Sequence, residues 1–237
     1  MHFETIALIP ARIGSKRIMR KNLSIIDEKP AIVRAIELAQ SCSIFDRVVI
    51  STDSEEIRVI AKDAGAEDFG LRDSSFADDT TSTLEVVKYE IQRMYSKKIS
   101  IRNICCIYPV VPLLTKNRLL EGYKRLASSK NGFVVPLQIS SGSKNRAISV
   151  DLTTKIITKG LPFNFRTQDL SPEFQDAGQF YWGTVQAWQE AKGILVEETS
   201  IILLNKWETI DVDDPEDLEV ARALYTLRNQ KGPHEAV

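Results

Sequence analysis

The sequence predicts an open α/β fold, a mainly parallel sheet between two layers of helix, on two observations. Apolar runs of strand length alternate with amphipathic stretches of helix length, and the first apolar run empties into a glycine-containing loop crowded with cations. Parallel sheets need crossover helices and bury both faces, so their strands read as near-continuous apolar runs.

Residues 5–10 form the first such run, residues 31–41 an amphipathic helix with Pro30 at its start, and "RVVIS" at 47–51 completes a β-α-β opening. Asp53, with Glu56 three residues on, has capping-box spacing and opens a helix that Gly65 closes; Ser82 or Thr83 opens another to about residue 96. Residues 103–108 are the third run, Thr115 caps a helix to about residue 128, and "GFVVPL" at 132–137 is the fourth run. The alternation breaks over residues 138–175, where "AISVDL" and "KIITKG" suggest a hairpin within an inserted arm. It resumes with "FYWGTVQAWQEA", "SIILL" and "ETIDVD", after which Asp214 caps a last helix with Pro215 in its first turn. The chain reads as one Rossmann-like three-layer domain over residues 1–237, with the arm at about 138–175.

Composition limits the function. With 43% hydrophobic residues the chain can bury a substantial core, and 31 Lys and Arg against 32 Asp and Glu argue against a general polyanion-binding face of the kind nucleic acid needs. Three cysteines without CxxC spacing read as buried thiols and not as metal ligands. No apolar run reaches the length of a membrane span and no cleavable leader is evident, so a cytoplasmic protein is expected.

Positive charge is instead local. Arg12, Lys16, Arg17, Arg20 and Lys21 fall within residues 12–21, directly after the first strand, with Gly14 and Ser15 among them. In parallel sheets the loop after the first strand is the usual seat of a nucleotide phosphate, and a glycine, a hydroxyl and cations are what a phosphate requires there. A solvated basic loop is the commoner reading of such a stretch taken alone; its position favours the phosphate. The pattern is neither GxGxxG nor GxxxxGK[ST], which disfavours dinucleotide oxidoreductases and P-loop kinases. Asp211 and Asp213, two apart on an expected strand, share a face. On residue type alone a metal pair and a solvated strand end stand equally open.

"IPARIGSKRIMRKN" (9–22), "VVISTD" (48–53), "LRDSSFADDTTST" (71–83) and "TIDVDDPEDLEVA" (209–221) resemble the CMP-sialic acid synthetase family of sugar nucleotidyltransferases over nearly the whole chain. "RTQDLSPEFQDAGQFYWG" (166–183) is most similar to the pseudaminic acid branch of that family. The resemblance implies transfer of CMP from CTP to an acidic nine-carbon sugar, pseudaminic acid first among them, with release of pyrophosphate. N-acetylneuraminate, legionaminate or a deoxy-octulosonate is the alternative acceptor, and a non-catalytic nucleotide-binding relative is the alternative class.

It further implies residue roles. Arg12 and Lys21 would be catalytic, holding the triphosphate and stabilising the leaving pyrophosphate. Ala11, Gly14, Ser15, Lys16 and Asn22 would line the phosphate loop, with Arg72, Thr80 and Ser82 at the cytosine edge. Gln175, Asp176, Gly178, Gln179 and Tyr181 would build the sugar pocket, Phe180 and Trp182 facing the core; Lys144 and Arg166 in the arm would meet the sugar carboxylate. Asp211 and Asp213 would bind Mg²⁺, and the arm would make a homodimer. The sequence departs from the family pattern at Ile13, where glycine is usual, at Met19, where proline is, at Val110 and Val111, where small polar residues are common, and at Gln175, where the pseudaminic branch often has His.

Overall fold

A computed structural model describes residues 2–140, 149–151, 153, 156–159 and 173–231. Its elements follow the expected alternation: β1 (Glu4–Pro10), β2 (Ile25–Ile26), β3 (Lys29–Pro30), α1 (Ala31–Gln40), β4 (Arg47–Ser51), α2 (Glu55–Asp63), α3 (Thr83–Ser96), β5 (Ile101–Ile107), α4 (Lys116–Leu126), β6 (Phe133–Ile139), β7 (Ser149–Asp151), β8 (Ile156–Lys159), β9 (Phe174–Asp176), β10 (Phe180–Thr184), α5 (Val185–Glu190), β11 (Ser200–Leu204) and α6 (Pro215–Lys231).

The central sheet runs β11-β6-β10-β5-β1-β4, with β9 paired to β6. The β1–β4, β1–β5 and β11–β6 pairs are parallel, while β10 enters antiparallel between β5 and β6, and β9 is antiparallel to β6. Side chains alternate across this sheet and so build two cores. Ala7 and Ile9 of β1 face one side with Ile36 of α1, Ala61 of α2, Leu119 of α4 and Trp182. Ile6 and Leu8 face the other with Ile91 and Met94 of α3 and Trp188 of α5. A third, smaller cluster seats α6 through Leu218 and Ala221 against Ile18, Ile26, Val110 and Val212.

Capping chemistry sets several helix starts. Ser82 makes the full capping box with Glu85, and Thr115 accepts a hydrogen bond from the Arg118 N–H. The expected Asp53 cap is corrected: Ser54 caps α2, because the Asp53 carboxylate accepts the Ile13 N–H at 2.9 Å. The expected strand at "TIDVD" is also corrected. Residues 209–213 join no strand, and the Asp213 and Asp214 N–H groups donate to the Asp217 carboxylate at 2.9 and 3.0 Å instead of to a sheet neighbour. The arm is narrower than expected among the described residues, since residues 138–139 and 174–175 belong to β6 and β9 and pair with each other; its β7–β8 hairpin forms as expected.

From β1 the chain moves outward to β4, and from β5 it moves the opposite way towards β6. The crevice at the carboxyl ends of β1 and β5 therefore lies at a topological switch point, where ligands of open α/β sheets bind. The middle of β10 fixes this architecture tightly. A Cβ at Gly183 would lie 2.5 Å from Trp188 Nε1 and 2.7 Å from Phe133 Cε1, between rings that are themselves buried at 0% and 2% exposure. We expect Gly183→Ala to cost about 1–3 kcal/mol through overpacking, read as a lower urea midpoint with an unchanged slope; a midpoint equal to wild type would contradict this packing.

Candidate active site

A cleft of about 730 Å³ opens at that switch point. The loop after β1 lines one side with Arg12, Ser15, Lys16, Arg17, Lys21 and Asn22. Its shape is held from within: Asn22 Nδ2 donates to the Arg12 carbonyl at 2.8 Å, the Ile13 N–H is taken by Asp53, and Arg20 adopts a left-handed conformation at φ 56°. Ile13 thus fills the place expected for glycine by packing against the first core, and its N–H is already used.

Each cation of the loop faces a carboxylate from elsewhere in the chain. Asp79 binds both Arg12 and Lys16, and those two hold its carboxyl below the usual range, Lys16 contributing most. Asp213 Oδ1 accepts from Arg17 at 2.7 Å and lies 3.9 Å from Lys21 Nζ. Burial pulls the Lys21 ammonium below the ordinary lysine range, against Asp213 and Asp211, which act to raise it. Burial, then the charge of Asp213, pushes the Asp211 carboxyl up. The two carboxylates repel in a half-buried setting, a pairing that a hard divalent cation relieves. Among the described residues no cluster of three His, Cys, Asp or Glu side chains forms a complete metal cage, so a bound ion would take its remaining ligands from phosphate and water.

Thr83, Tyr108, Asp176, Gly178 and Tyr181 also line the cleft. The Tyr181 hydroxyl donates to Asp176 Oδ2, Asp176 Oδ1 accepts the Gly178 N–H at 2.9 Å, and Tyr108 shares a 2.6 Å hydrogen bond with Thr83. The two tyrosine rings meet edge to face at 5.6 Å. Burial raises both phenols, Tyr108 to about 12, so both remain protonated hydroxyls at neutral pH. Phe180 and Trp182 face the first core and Tyr181 the other side of the sheet, as the alternation requires.

Of the residues expected from sequence, Arg12, Ser15, Lys16, Lys21, Asn22, Arg72, Asp176, Gly178, Tyr181, Asp211 and Asp213 converge on this cleft. Ala11 does not line it, being wholly buried in the first core. Gly14 does not either; a Cβ there would meet nothing within 4 Å. Thr80 and Ser82 are set aside from the cleft by local bonds, Thr80 Oγ1 to Asp78 and Ser82 to the start of α3. Gln179 is buried and its amide nitrogen donates to the Glu208 carbonyl at 2.6 Å, while Gln175 is exposed on β9. Lys144 and Arg166 lie outside the described residues. Sequence reading names Arg17 among the loop cations without giving it a role, and it does not single out Asp78, Asp79, Thr81, Thr83 or Tyr108. The signal for Asp78 and Asp79 was present in "ADDTT", since adjacent carboxylates in a loop need cations, and the nearby cations lie in the other loop.

A family model described as Cytidylyltransferase matches residues 6–231. A pseudaminic acid cytidylyltransferase of Campylobacter jejuni subsp. jejuni serotype O:23/36 is 33% identical over 228 residues, covering 96% of this chain and 98% of that protein. A CMP-N,N'-diacetyllegionaminic acid synthase of Legionella pneumophila is 28% identical over 95% of this chain and 97% of its own length. Among solved structures, CMP:2-keto-3-deoxy-manno-octonic acid synthetase complexed with CTP superposes with a TM-score of 0.70 at 17% identity, covering 94% of this chain and 99% of that one.

Two outcomes test the site's electrostatics and caps. Asp79→Asn removes the carboxylate that competes for Arg12 and Lys16, so inorganic tripolyphosphate should bind several-fold tighter by calorimetry, an effect of about 1 kcal/mol; weaker binding would contradict the competition. Ser82→Ala should lower stability by about 1 kcal/mol as a lost N-cap while leaving that affinity unchanged.

Proposed function

As the chain belongs to the cytidylyltransferase family, we propose that it transfers CMP from CTP to a nonulosonic acid, pseudaminic acid being the favoured acceptor, with release of pyrophosphate. One observation carries the reading to this cleft: the cations after β1 and the hydrogen-bonding groups of Asp176 and Tyr181 line one space, large enough for nucleotide and sugar. The favoured acceptor rests on two Campylobacter pseudaminic acid cytidylyltransferases at 33% and 34% identity, each over 96% of this chain.

The anomeric hydroxyl oxygen of the sugar bonds to the α-phosphorus of CTP and gives its proton to solvent, while the bond from that phosphorus to the α,β-bridging oxygen breaks and pyrophosphate leaves. Negative charge grows on the leaving pyrophosphate, and stabilising it requires cations already in place and partly shielded from water. Arg12 and Lys16 exchange Asp79 for phosphate oxygens, and Lys21, half-buried, offers a donor whose charge is weakly screened. Ser15 adds a hydroxyl donor and the Asn22 amide keeps the loop closed around the anion. Asp176 and Tyr181 orient the acceptor, Asp176 through its carboxylate and Tyr181 through a hydroxyl held in the neutral form. Asp211 and Asp213 would hold Mg²⁺, which supplies positive charge beside the transferring phosphoryl group.

Homodimerisation through the arm and a cytoplasmic location belong to the same proposal. The β7–β8 hairpin within the arm supports the first. The second rests on the proposed use of CTP, which is made inside the cell.

Pyrophosphate release is the direct test, with Mg²⁺, each of CTP, UTP and ATP, and a panel of pseudaminic, legionaminic and N-acetylneuraminic acids. Release confined to CTP with pseudaminic acid supports the reading in full, release with another acid moves the acceptor, and release with none rejects it. Arg12→Ala should lower kcat/KM by about 10²–10³-fold, the size of a lost oxyanion donor. Asp213→Ala should abolish most turnover and flatten the Mg²⁺ titration without shifting the denaturation midpoint, because the side chain is 41% exposed and fills no core; an unchanged titration would remove the metal assignment.

A further inference from the structure

Helix α3 buries Val86, Val87, Glu90, Ile91 and Met94, so a carboxylate sits in the middle of an otherwise apolar stripe. The Glu90 side chain is 1% exposed. An ionised carboxylate in that position is costly unless its oxygens are engaged. Oε1 is, accepting from the Ser51 hydroxyl at 2.7 Å and from Arg93 at 3.0 Å; Oε2 has no partner among the described residues. On the other side of that hydroxyl bond is Arg72, 5% exposed, whose Nη1 reaches the Ser51 Oγ at 3.5 Å and whose buried Nε–H is likewise unpartnered among the described residues.

Two features separate this group from a purely structural ion pair. Arg72 lines the cleft while Glu90 does not, so the charge faces ligand and its counter-charge sits behind it. Glu90 also grips the segment leading to Arg72 by a second route. Arg93, bonded to Glu90, donates to the carbonyls of Phe69 and Gly70, while the Arg72 N–H is fixed to the Thr52 carbonyl at 2.7 Å. Backbone and side chain of Arg72 are thus both set from β4 and α3. Arg72 itself lines the cleft, and Phe76, Thr81, Thr83 and Val86 line it with polar and apolar surface.

We infer that Glu90 is a positioning residue for nucleobase recognition: through Ser51 and Arg93 it holds the Arg72 guanidinium at the cleft floor, aimed at the base edge. This rests on the proposed use of CTP. A base carbonyl is an acceptor that the Arg72 guanidinium can meet in the cleft, and among the described residues no cation of the loop after β1 bonds to Glu90.

That independence gives the test. Affinities for CTP, UTP and inorganic tripolyphosphate are measured by calorimetry on wild type, Glu90→Gln, which keeps shape and loses charge, and Ser51→Ala, which cuts the hydroxyl link and keeps both charges. We expect Glu90→Gln to weaken CTP by about tenfold, the scale of one charge-assisted hydrogen bond, to narrow the CTP-to-UTP ratio, and to leave tripolyphosphate within about twofold. Ser51→Ala should move the same two quantities in the same direction, and it decides alone if Glu90→Gln does not fold. In an Arg72→Gln background the Glu90→Gln effect on CTP should vanish. CTP affinity within about twofold of wild type in both single variants, or CTP and tripolyphosphate weakening in parallel, overturns the inference while leaving the proposed function intact. A wild type that does not prefer CTP over UTP overturns base recognition in this cleft and the inference with it.

Discussion

Charge balance at the end of one strand governs this molecule. A parallel strand must release its chain at the carboxyl edge of the sheet, and here β1 releases it into five cations within residues 12–21. Left alone, such a loop would repel itself and stay solvated. It is held instead by carboxylates brought from far along the chain: Asp79 from the loop before α3, Asp213 from the segment before α6, and Glu56 from α2, which meets Arg20. Each of these contacts joins an element of one layer to the loop, so the order of the whole cleft depends on how the loop is neutralised. Exposed pairs of this kind contribute little to stability individually. They are therefore exchangeable, and giving up Asp79 costs the loop little.

The sheet makes the arrangement possible. Because β1 and β5 send their connections in opposite directions, a crevice opens between the loops that follow them, and Tyr108, Pro109 and Val110 after β5 line it together with the cation-rich loop. The antiparallel entry of β10 beside β5 then brings its preceding residues, Asp176 and Gly178, to the same edge. Asp211 approaches Gly178 closely, its carboxyl carbon 3.9 Å from where a Cβ would stand. Three distant stretches of chain meet because strand direction, and not sequence order, decides which ends share an edge.

Much of this was legible beforehand. Strands buried on both faces announce themselves as apolar runs, and Ser82 and Thr115 announce helix starts, because those signals are local. The cation-rich loop was legible for the same reason. What the sequence hid was long-range pairing. Asp53 looked like a cap, yet its carboxylate is taken by the Ile13 N–H, forty residues away, and Ser54 caps in its place. Gln179 reads as a ligand group, and its buried amide nitrogen ties the residue before β10 to the Glu208 carbonyl. "TIDVD" had a strand's alternation, yet Asp217 captured the N–H groups a neighbouring strand would need. In each case a side chain competed successfully for a backbone group.

The most direct measurement is the affinity of the wild-type chain for CTP against CMP across a range of salt concentrations. If the cations after β1 are the seat of the triphosphate, CTP binds far more tightly than CMP, by about 10²-fold or more for two added phosphates in a partly shielded site, and the gap narrows as salt rises. Equal affinities, or a gap indifferent to salt, would mean that the phosphates lie elsewhere and that the loop's charge serves another purpose.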